Sequence, residues 1–249
     1  MNKIRLETFS DGVLAIVITI MVLELRVPEE PSWPGLLRVL PGFLSYLLSF
    51  VYVGIYWNNH HHMFSLAEKV NGTVLWANLH LLFWLSLFPF TTRWMDESGF
   101  PEVPVLVYGV NLLLAAVGYF ILQKALIAQQ GTDGPLARAL GRDWKGKASP
   151  LIYLAGLGLS LLQPLLGLAA YTVVALLWLV PDRRLERAAG ARAKSVQLSA
   201  DGGRHFPAIK PYAAHEGRMR EGSVAEFQVK ARQPEPSANL DDLGGHGFR

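Results

Sequence analysis

Long apolar segments separated by short polar ones run along the chain from Phe9 to Val180, and none follows Val180. The six segments cover about residues 9–27, 36–64, 73–94, 103–128, 149–163 and 165–180. A helix that spans a bilayer core needs about 20 largely uncharged residues, and the last two segments are somewhat shorter. The sequence shows no alternation of apolar and polar residues with period two, so it predicts no β-strands. The pattern therefore predicts an all-α membrane protein with six transmembrane helices.

Proline positions indicate where these helices end. Pro28, in "PEEPSWPG", should end the first helix, and Pro89, in "LFPFTTRW", should kink or end the third. Gln163 and Pro164 should form the turn between the last two helices.

The N-terminal segment also has features of a signal peptide, because basic residues precede its apolar run. Two features favour a retained helix instead: Asp11 lies within the apolar run, and no small-x-small cleavage site follows that run.

The short loops predict the orientation. With a cytoplasmic N-terminus, eight basic residues lie on the inner side and three on the outer side, as the positive-inside rule prefers. The inner ones are Lys3, Arg5, Lys69, Lys124, Arg138, Arg142, Lys145 and Lys147, and the outer ones are Arg26, Arg38 and Arg93. We expect a multi-pass protein of the cell (plasma or inner) membrane with both termini in the cytoplasm.

Composition divides the chain into two parts. Residues 1–181 hold all the apolar segments, whereas residues 182–249 are polar, without apolar period, and carry 12 of the 23 Lys and Arg residues. Such a stretch cannot bury enough surface to fold, so we expect a disordered, basic cytoplasmic tail. Because the excess charge lies in that tail, the net charge of +3 does not indicate nucleic-acid binding. The absence of Cys excludes disulfides, thiolate catalysis and thiolate zinc sites.

Polar residues gather at one membrane depth, near the cytoplasmic side of the first three helices. They are Arg5, Ser10 and Asp11 in the first, Trp57, His60, His61 and His62 late in the second, and Asn78 early in the third. A charged residue at mid-bilayer costs about 2.5–3.5 kcal/mol, so such groups persist where they find partners. We expect Arg5, Ser10, Asp11, Asn78 and either His60 or His61 to form one buried hydrogen-bonded cluster.

Three roles are open for this cluster. It could hold the helices together by hydrogen bonds, or relay protons through His60 and Asp11, which titrate. It could also bind a metal through "HHH", but adjacent helical residues point about 100° apart, and the position four after His60 is Phe64. We therefore expect no metal site.

The first helix carries a strip of aliphatic side chains. With Ile16 at zero on a helical wheel, Ile20 lies at about +40°, Leu23 at about −20° and Gly12 at about −40°. Asp11 lies about 140° away, so the polar residues lie toward another face. The strip can face lipid or copies of the same helix.

Three ordered motifs resemble those of the transmembrane protein 175 family of potassium channels. The stretch "RLETFSDGVLAIVITIMVLEL" matches the R-x-x-x-F-S-D signature of the family's first helix. The stretches "YWNNHHHMF" and "WANLHLLFWLSLFPFTT" are similar to its second and third helices, and "LWLVPDRR" is similar to its ending. The resemblance covers about residues 1–187.

The resemblance implies a homotetramer in which the first helix of each chain lines a central pore. Ile16 would form the ring nearest the cytoplasm, followed by Ile20 and Leu23, and Thr19 matches a hydroxyl position that favours potassium. The network would comprise Arg5, Phe9, Ser10, Asp11, His60 and Asn78, with Trp57 and His61 beside it. His62 departs from the family pattern, which more often has a basic residue there.

Function follows as an expectation. The chain has no carbonyl-lined filter stretch, so potassium should pass a hydrophobic constriction with modest selectivity over sodium. Glu24, Glu29 and Glu30, at the outer end of the first helix, could concentrate cations or form a solvated turn. Expected partners are the chain itself, lipid and permeant potassium, with no cofactor and no nucleic acid. A proton-coupled transporter and a membrane scaffold are the alternatives. Lacking a nucleophile elbow or phosphate loop, the chain is not expected to be an enzyme.

Overall fold

The computed structural model describes residues 3–67, 69–131, 134–140 and 144–179, together with Gly190 and Lys194. These residues form helices and connecting segments without a β-strand, which confirms the all-α prediction. The helices within residues 3–179 are α1 (Lys3–Leu23), α2 (Trp33–Ser65), α3 (Gly72–Ser86), α4 (Phe88–Glu97), α5 (Glu102–Gln130), α6 (Pro135–Leu140), α7 (Trp144–Leu162) and α8 (Pro164–Leu179). The tail predicted at 182–249 lies outside the described residues, apart from Gly190 and Lys194.

By length and composition, four helical segments among the described residues could cross a membrane: α1, α2, α5 and the segment Gly72–Glu97, which joins α3 and α4. The helices α7 and α8 are shorter or less apolar and pack against each other as a hairpin. Six spans therefore stay a prediction, while several of the described helices are long and apolar enough to cross a membrane.

Local capping explains where the helices begin. Ser32 caps α2, its hydroxyl accepting a hydrogen bond from the Gly35 amide at 3.2 Å. Asn71 caps α3 in the same way, accepting from the Val74 amide at 2.9 Å. These side chains satisfy amides that have no partner within the helix.

Two helix boundaries differ from the sequence prediction. The first helix ends at Leu23 rather than near residue 27, and beyond it Glu24 and Arg26 pair with side chains of α4. The third segment is two helices separated at Leu87, two residues before Pro89, as expected for a proline that cannot continue a helix. The short helix α6 lies in what the sequence indicated as a polar loop.

The core lies along α5, which contacts α3, α4, α7 and α8, while α1 packs on α2, α3 and α4 at one side. In the centre of this core the rings of four buried tyrosines contact one another: Tyr52, Tyr108, Tyr153 and Tyr171. Two of these rings, Tyr52 and Tyr108, also pack against Phe88. The packing places α1 at the edge of the protomer, with only one side covered.

Two glycines on α7, Gly156 and Gly158, differ in the space around them, so we expect alanine to have opposite effects on stability at the two positions. A β-carbon at Gly156 would lie 2.6 Å from Tyr171 Cε1, whereas a β-carbon at Gly158 would have no atom within 4 Å. We expect Gly156→Ala to destabilise the protein by about 1–3 kcal/mol through overpacking. Gly158→Ala should stabilise it by up to about 1 kcal/mol through helix propensity. Thermal unfolding of the purified protein compares the two, and a stabilising Gly156→Ala would contradict this packing.

Candidate functional site

Helix α1 has one buried face and one exposed face. Leu6, Ser10, Leu14, Val17 and Met21 are buried against α2, α3 and α4. The opposite residues form what we call the exposed strip: Gly12, Ile16, Thr19, Ile20 and Leu23. Its aliphatic side chains are 60% (Ile16), 42% (Ile20) and 77% (Leu23) exposed within the protomer. The strip found on the helical wheel is thus the face that no other part of the described protomer covers.

Ser10, His60 and Asn78 form a buried triad that joins α1, α2 and α3. The Asn78 amide nitrogen donates to Ser10 Oγ at 2.9 Å, and Ser10 Oγ donates to the Leu6 carbonyl at 2.9 Å. His60 Nε2 lies 2.8 Å from Asn78 Oδ1. An amide oxygen only accepts, so Nε2 carries the hydrogen and the donors run in one direction, from His60 to Asn78 to Ser10. In the membrane this chain stabilises one packing of α1.

Asp11 and Trp57 form a second, exposed contact between α1 and α2. Trp57 Nε1 donates to Asp11 Oδ1 at 3.0 Å. The Trp57 ring stacks on His61 at 6.3 Å between centroids, and His61 contacts the His62 ring. The residues predicted as one cluster thus form a buried triad and an exposed pair, without a described hydrogen bond between Asp11 and His60.

Arg5 and Phe9 lie outside both contacts, so within the described protomer Arg5 does not join the predicted buried cluster. Both are exposed, and Arg5 makes no polar contact with another described residue. The reason is angular, because five helical residues separate Arg5 from Ser10 and turn them about 140° apart. Arg5 and Phe9 extend the exposed strip toward the N-terminus.

Lys3 contacts two residues, Ala67 and Glu7, and neither contact was predicted from the sequence. Its ammonium donates to the Ala67 carbonyl at 3.1 Å and lies 3.9 Å from Glu7 Oε1. The Lys3–Glu7 spacing of four was visible in the sequence, but the acceptor on the α2–α3 connection was not.

Arginines pair with the outer acidic residues. Arg93 Nη1 lies 3.7 Å from Glu24 Oε1, and Arg38 Nη1 lies 3.5 Å from Glu30 Oε1, while Glu29 is exposed. Arg26 lies within 4 Å of carboxylates of α4. These pairs hold the end of α1 near α4 and leave less uncompensated negative charge than the sequence indicated. Within the described chain, no three His, Asp or Glu side chains are grouped to hold a metal ion.

Residues 5–89 match the family described as "Endosomal/lysosomal potassium channel TMEM175". A relative from Chryseobacterium sp. (strain P1-3), named a potassium channel, is 52% identical over 187 residues, which are 75% of this chain and 97% of the relative. A Gallus gallus relative, named an endosomal/lysosomal proton channel, is 30% identical over 57% of this chain and 32% of its own length.

A solved structure is similar as well. It is the crystal structure of a lysosomal potassium-selective channel TMEM175 homolog from Chamaesiphon minutus. The two folds superpose with a TM-score of 0.64 at 30% identity, covering 72% of this chain and 97% of that one. The family match at residues 5–89 spans most of α1 together with α2 and α3, the helices of this chain that carry the exposed strip and both polar contacts.

Proposed function

The chain belongs to the TMEM175 family of cation channels, and we propose that it forms a homotetramer whose four α1 helices line a potassium-conducting pore. One observation carries this proposal: the exposed strip is the face of α1 that its own protomer leaves uncovered. Exposure alone would equally suit a lipid-facing helix. Membership in a family of channels favours the pore.

Ile16 is the proposed constriction. Four isoleucine side chains around an axis exclude water, and a dewetted ring blocks ions until it widens or hydrates. Ile20 and Leu23 continue the apolar lining toward the outside. Potassium loses its hydration shell at lower cost than sodium, so potassium should pass more easily. Selectivity should be modest, because no dense set of oxygens replaces the lost water.

The buried triad is proposed to fix α1 relative to α2 and α3, and thereby the distance of Ile16 from the axis. The pair Asp11–Trp57 would act at the same depth. Arg5 and Phe9, which share the angular position of Ile16, would meet neighbouring protomers at the base of the pore.

Arginines offset part of the negative charge at the outer end of the proposed pore. Glu24 and Glu30 each pair with an arginine, so a ring of glutamates would attract cations chiefly through Glu29. The proposed orientation places this end outside the cell membrane and both termini in the cytoplasm. A proton relay through Asp11 and His60 is not supported, because their described hydrogen bonds go to Trp57 and Asn78.

Thr19→Val tests the selectivity role of the strip. The Thr19 hydroxyl donates to the Ala15 carbonyl at 2.8 Å, which leaves its oxygen lone pairs free to meet a passing ion. We expect the substitution to lower the potassium-to-sodium permeability ratio about two- to threefold by removing a ring of oxygens. Reversal potentials under a potassium–sodium gradient in planar bilayers measure this ratio.

Thr172→Val is the matched control. Thr172 is also exposed and donates to the carbonyl four residues before it, Leu168, at 2.8 Å, but it lies on α8. The ratio should be unchanged in this variant. Equal potassium-to-sodium permeability ratios in the wild type and Thr19→Val would mean that Thr19 does not line the pore.

A further inference from the structure

A cavity of about 50 Å³ lies between α2, α5, α7 and α8. Aromatic rings form most of its wall: Tyr52, Tyr56, Tyr119, Phe120, Tyr153 and Trp178. A few shorter polar side chains, Asn59 among them, complete the lining. Aromatic walls with a small number of polar groups are typical of pockets that bind small organic groups. No described residue of α1 lines this cavity, so it is separate from the proposed pore.

Two buried polar groups of the lining have no partner in the described protomer. Asn59 and Tyr56 are only 6% and 8% exposed. Asn59 Nδ2 donates to the Ile55 carbonyl at 2.8 Å, but neither Asn59 Oδ1 nor the Tyr56 hydroxyl bonds to another described residue. A buried polar group without a partner is costly, so we expect both to bond to a group that enters the cavity. The amide oxygen accepts, and the phenol both donates and accepts, so a ligand with hydroxyl groups matches them.

Other polar groups of the lining are bonded within the protomer. Trp178 Nε1 donates to Ser149 Oγ at 2.7 Å, and Ser149 Oγ donates to the Lys145 carbonyl at 2.8 Å. The Tyr52 hydroxyl donates to the Tyr171 carbonyl. These bonds hold two rings of the wall in place. The cavity is therefore formed before a ligand binds, which lowers the cost of binding.

The charge around the cavity is positive. Lys124 Nζ lies 5.3 Å from the centre of the Phe120 ring, and Lys145 Nζ lies 5.9 Å from the centre of the Trp178 ring. Both rings belong to the cavity wall. Helices α2, α7 and α8 contain no Asp or Glu, and α5 contains only Glu102, at its opposite end. This distribution of charge favours a ligand with a negative group.

The apolar surface beside the cavity favours a lipid over a soluble anion. Phe120 is 47% exposed, so the cavity wall reaches the surface of the protomer there. Val117 and Ile121, also on α5, are 38% and 41% exposed. These three side chains and Lys124 follow the spacing i, i+3, i+4 and i+7, so they share one face of the helix. A hydrocarbon chain can lie along such a face with its phosphate beside the lysine.

We propose that this cavity binds the headgroup of an anionic phospholipid that ends in hydroxyl groups, as in phosphatidylglycerol. The phosphate lies beside Lys124 and Lys145, and the terminal hydroxyls bond to Asn59 Oδ1 and the Tyr56 hydroxyl. The cavity has room for about four groups of the size of water, which matches the two carbons and two hydroxyls at the end of glycerol. The proposed orientation of the chain places this lipid in the inner leaflet.

Lipid binding to the purified full chain in detergent tests the site. Thermal unfolding at increasing lipid concentration gives an apparent affinity, because a ligand of the folded state raises the unfolding temperature. The probes are dioctanoyl-phosphatidylglycerol, dioctanoyl-phosphatidylmethanol, which has the same charge without the glycerol, and soluble glycerol 3-phosphate. We expect phosphatidylglycerol to bind about tenfold tighter than phosphatidylmethanol, because of its extra hydrogen bonds. Glycerol 3-phosphate, which has no chains, should not stabilise the protein at the same concentrations.

Substitutions separate recognition of the hydroxyls from recognition of the phosphate. Tyr56→Phe and Asn59→Leu keep the size of each side chain and should each weaken phosphatidylglycerol binding about tenfold. Their affinity for phosphatidylmethanol should stay unchanged. Lys124→Gln should weaken the binding of both lipids about fivefold, by removing one charge near the phosphate. The shift of each variant is measured from its own unfolding temperature without lipid, so a change in stability does not alter the comparison.

Asn58→Leu is the matched control, because Asn58 precedes Asn59 on α2 and does not line the cavity. Its affinity for phosphatidylglycerol should equal that of the wild type. Equal affinities of the wild type for the two lipids would overturn the proposal, since the glycerol would then not be recognised. So would unchanged phosphatidylglycerol binding in both Tyr56→Phe and Asn59→Leu, or equal stabilisation by glycerol 3-phosphate. These measurements involve no ion flux, so their outcome is independent of the proposed pore.

Discussion

Replacing Ile16 by asparagine should raise potassium flux through the reconstituted protein by about tenfold or more. The reason is that the proposed barrier is a dewetted ring, and four amide side chains would hydrate it. Lowering the free-energy barrier to ion passage by about 1.4 kcal/mol already raises the flux about tenfold. The same change should reduce the preference for potassium over sodium, because a hydrated ring no longer requires the ion to lose water. Fluorescent flux assays in liposomes and single-channel recordings measure both quantities.

Val22→Asn provides the matched control for this substitution. Val22 lies on the same helix and is 45% exposed, but about 120° around the helix from Ile16. The Val22→Asn variant also places an amide on the membrane part of α1, but outside the exposed strip. Its potassium flux should stay close to that of the wild type. Equal fluxes in Ile16→Asn and the wild type would mean that Ile16 is not the constriction.

Asn78→Ala should lower the free energy of unfolding by about 1–3 kcal/mol, because it leaves His60 Nε2–H without its acceptor in a buried site. Ser10 would lose one donor but keep its bond to Leu6. Since the triad joins three helices, the proposed tetramer should dissociate at a lower temperature in the variant than in the wild type. Thermal unfolding followed by size-exclusion chromatography in detergent measures the loss.

Asn58→Ala removes the same chemical group from a neighbouring site. Asn58 is half-buried on α2 and makes no polar contact with another described residue. Its stability should change by at most about 0.5 kcal/mol, as surface substitutions do. If Asn58→Ala and Asn78→Ala were equally destabilising, the triad would not stabilise the packing of α1.

Hydropathy located the helices well and their ends poorly. The apolar segment at about residues 9–27 predicted a membrane-spanning helix, yet the helix runs from Lys3 to Leu23. Before the apolar residues the helix includes the Lys3–Glu7 pair, and beyond its end Glu24 and Arg26 pair with Arg93 and Asp96 of α4. Hydropathy contains no information on either.

For the polar cluster, too, the sequence predicted some positions correctly and could not predict others. Shared membrane depth correctly brought Ser10, His60 and Asn78 together, since antiparallel helices place those positions at one height. Depth could not exclude Arg5, whose position depends on rotation about the helix axis. The rotation of α1 is set by which of its faces packs on α2, α3 and α4.

By itself, the sequence determined that this chain is a bundle of membrane helices, that α1 carries an aliphatic strip, and which family it belongs to, because apolar length, helical period and ordered motifs are local properties. Only the tertiary structure decided which side of α1 stays uncovered and which outer glutamates are neutralised by arginines. It alone also joined Ser49 to Thr92 and Tyr108, which lie 43 and 59 residues away along the chain. Such contacts depend on how helices rotate and pack against one another, and no window of neighbouring residues fixes that rotation.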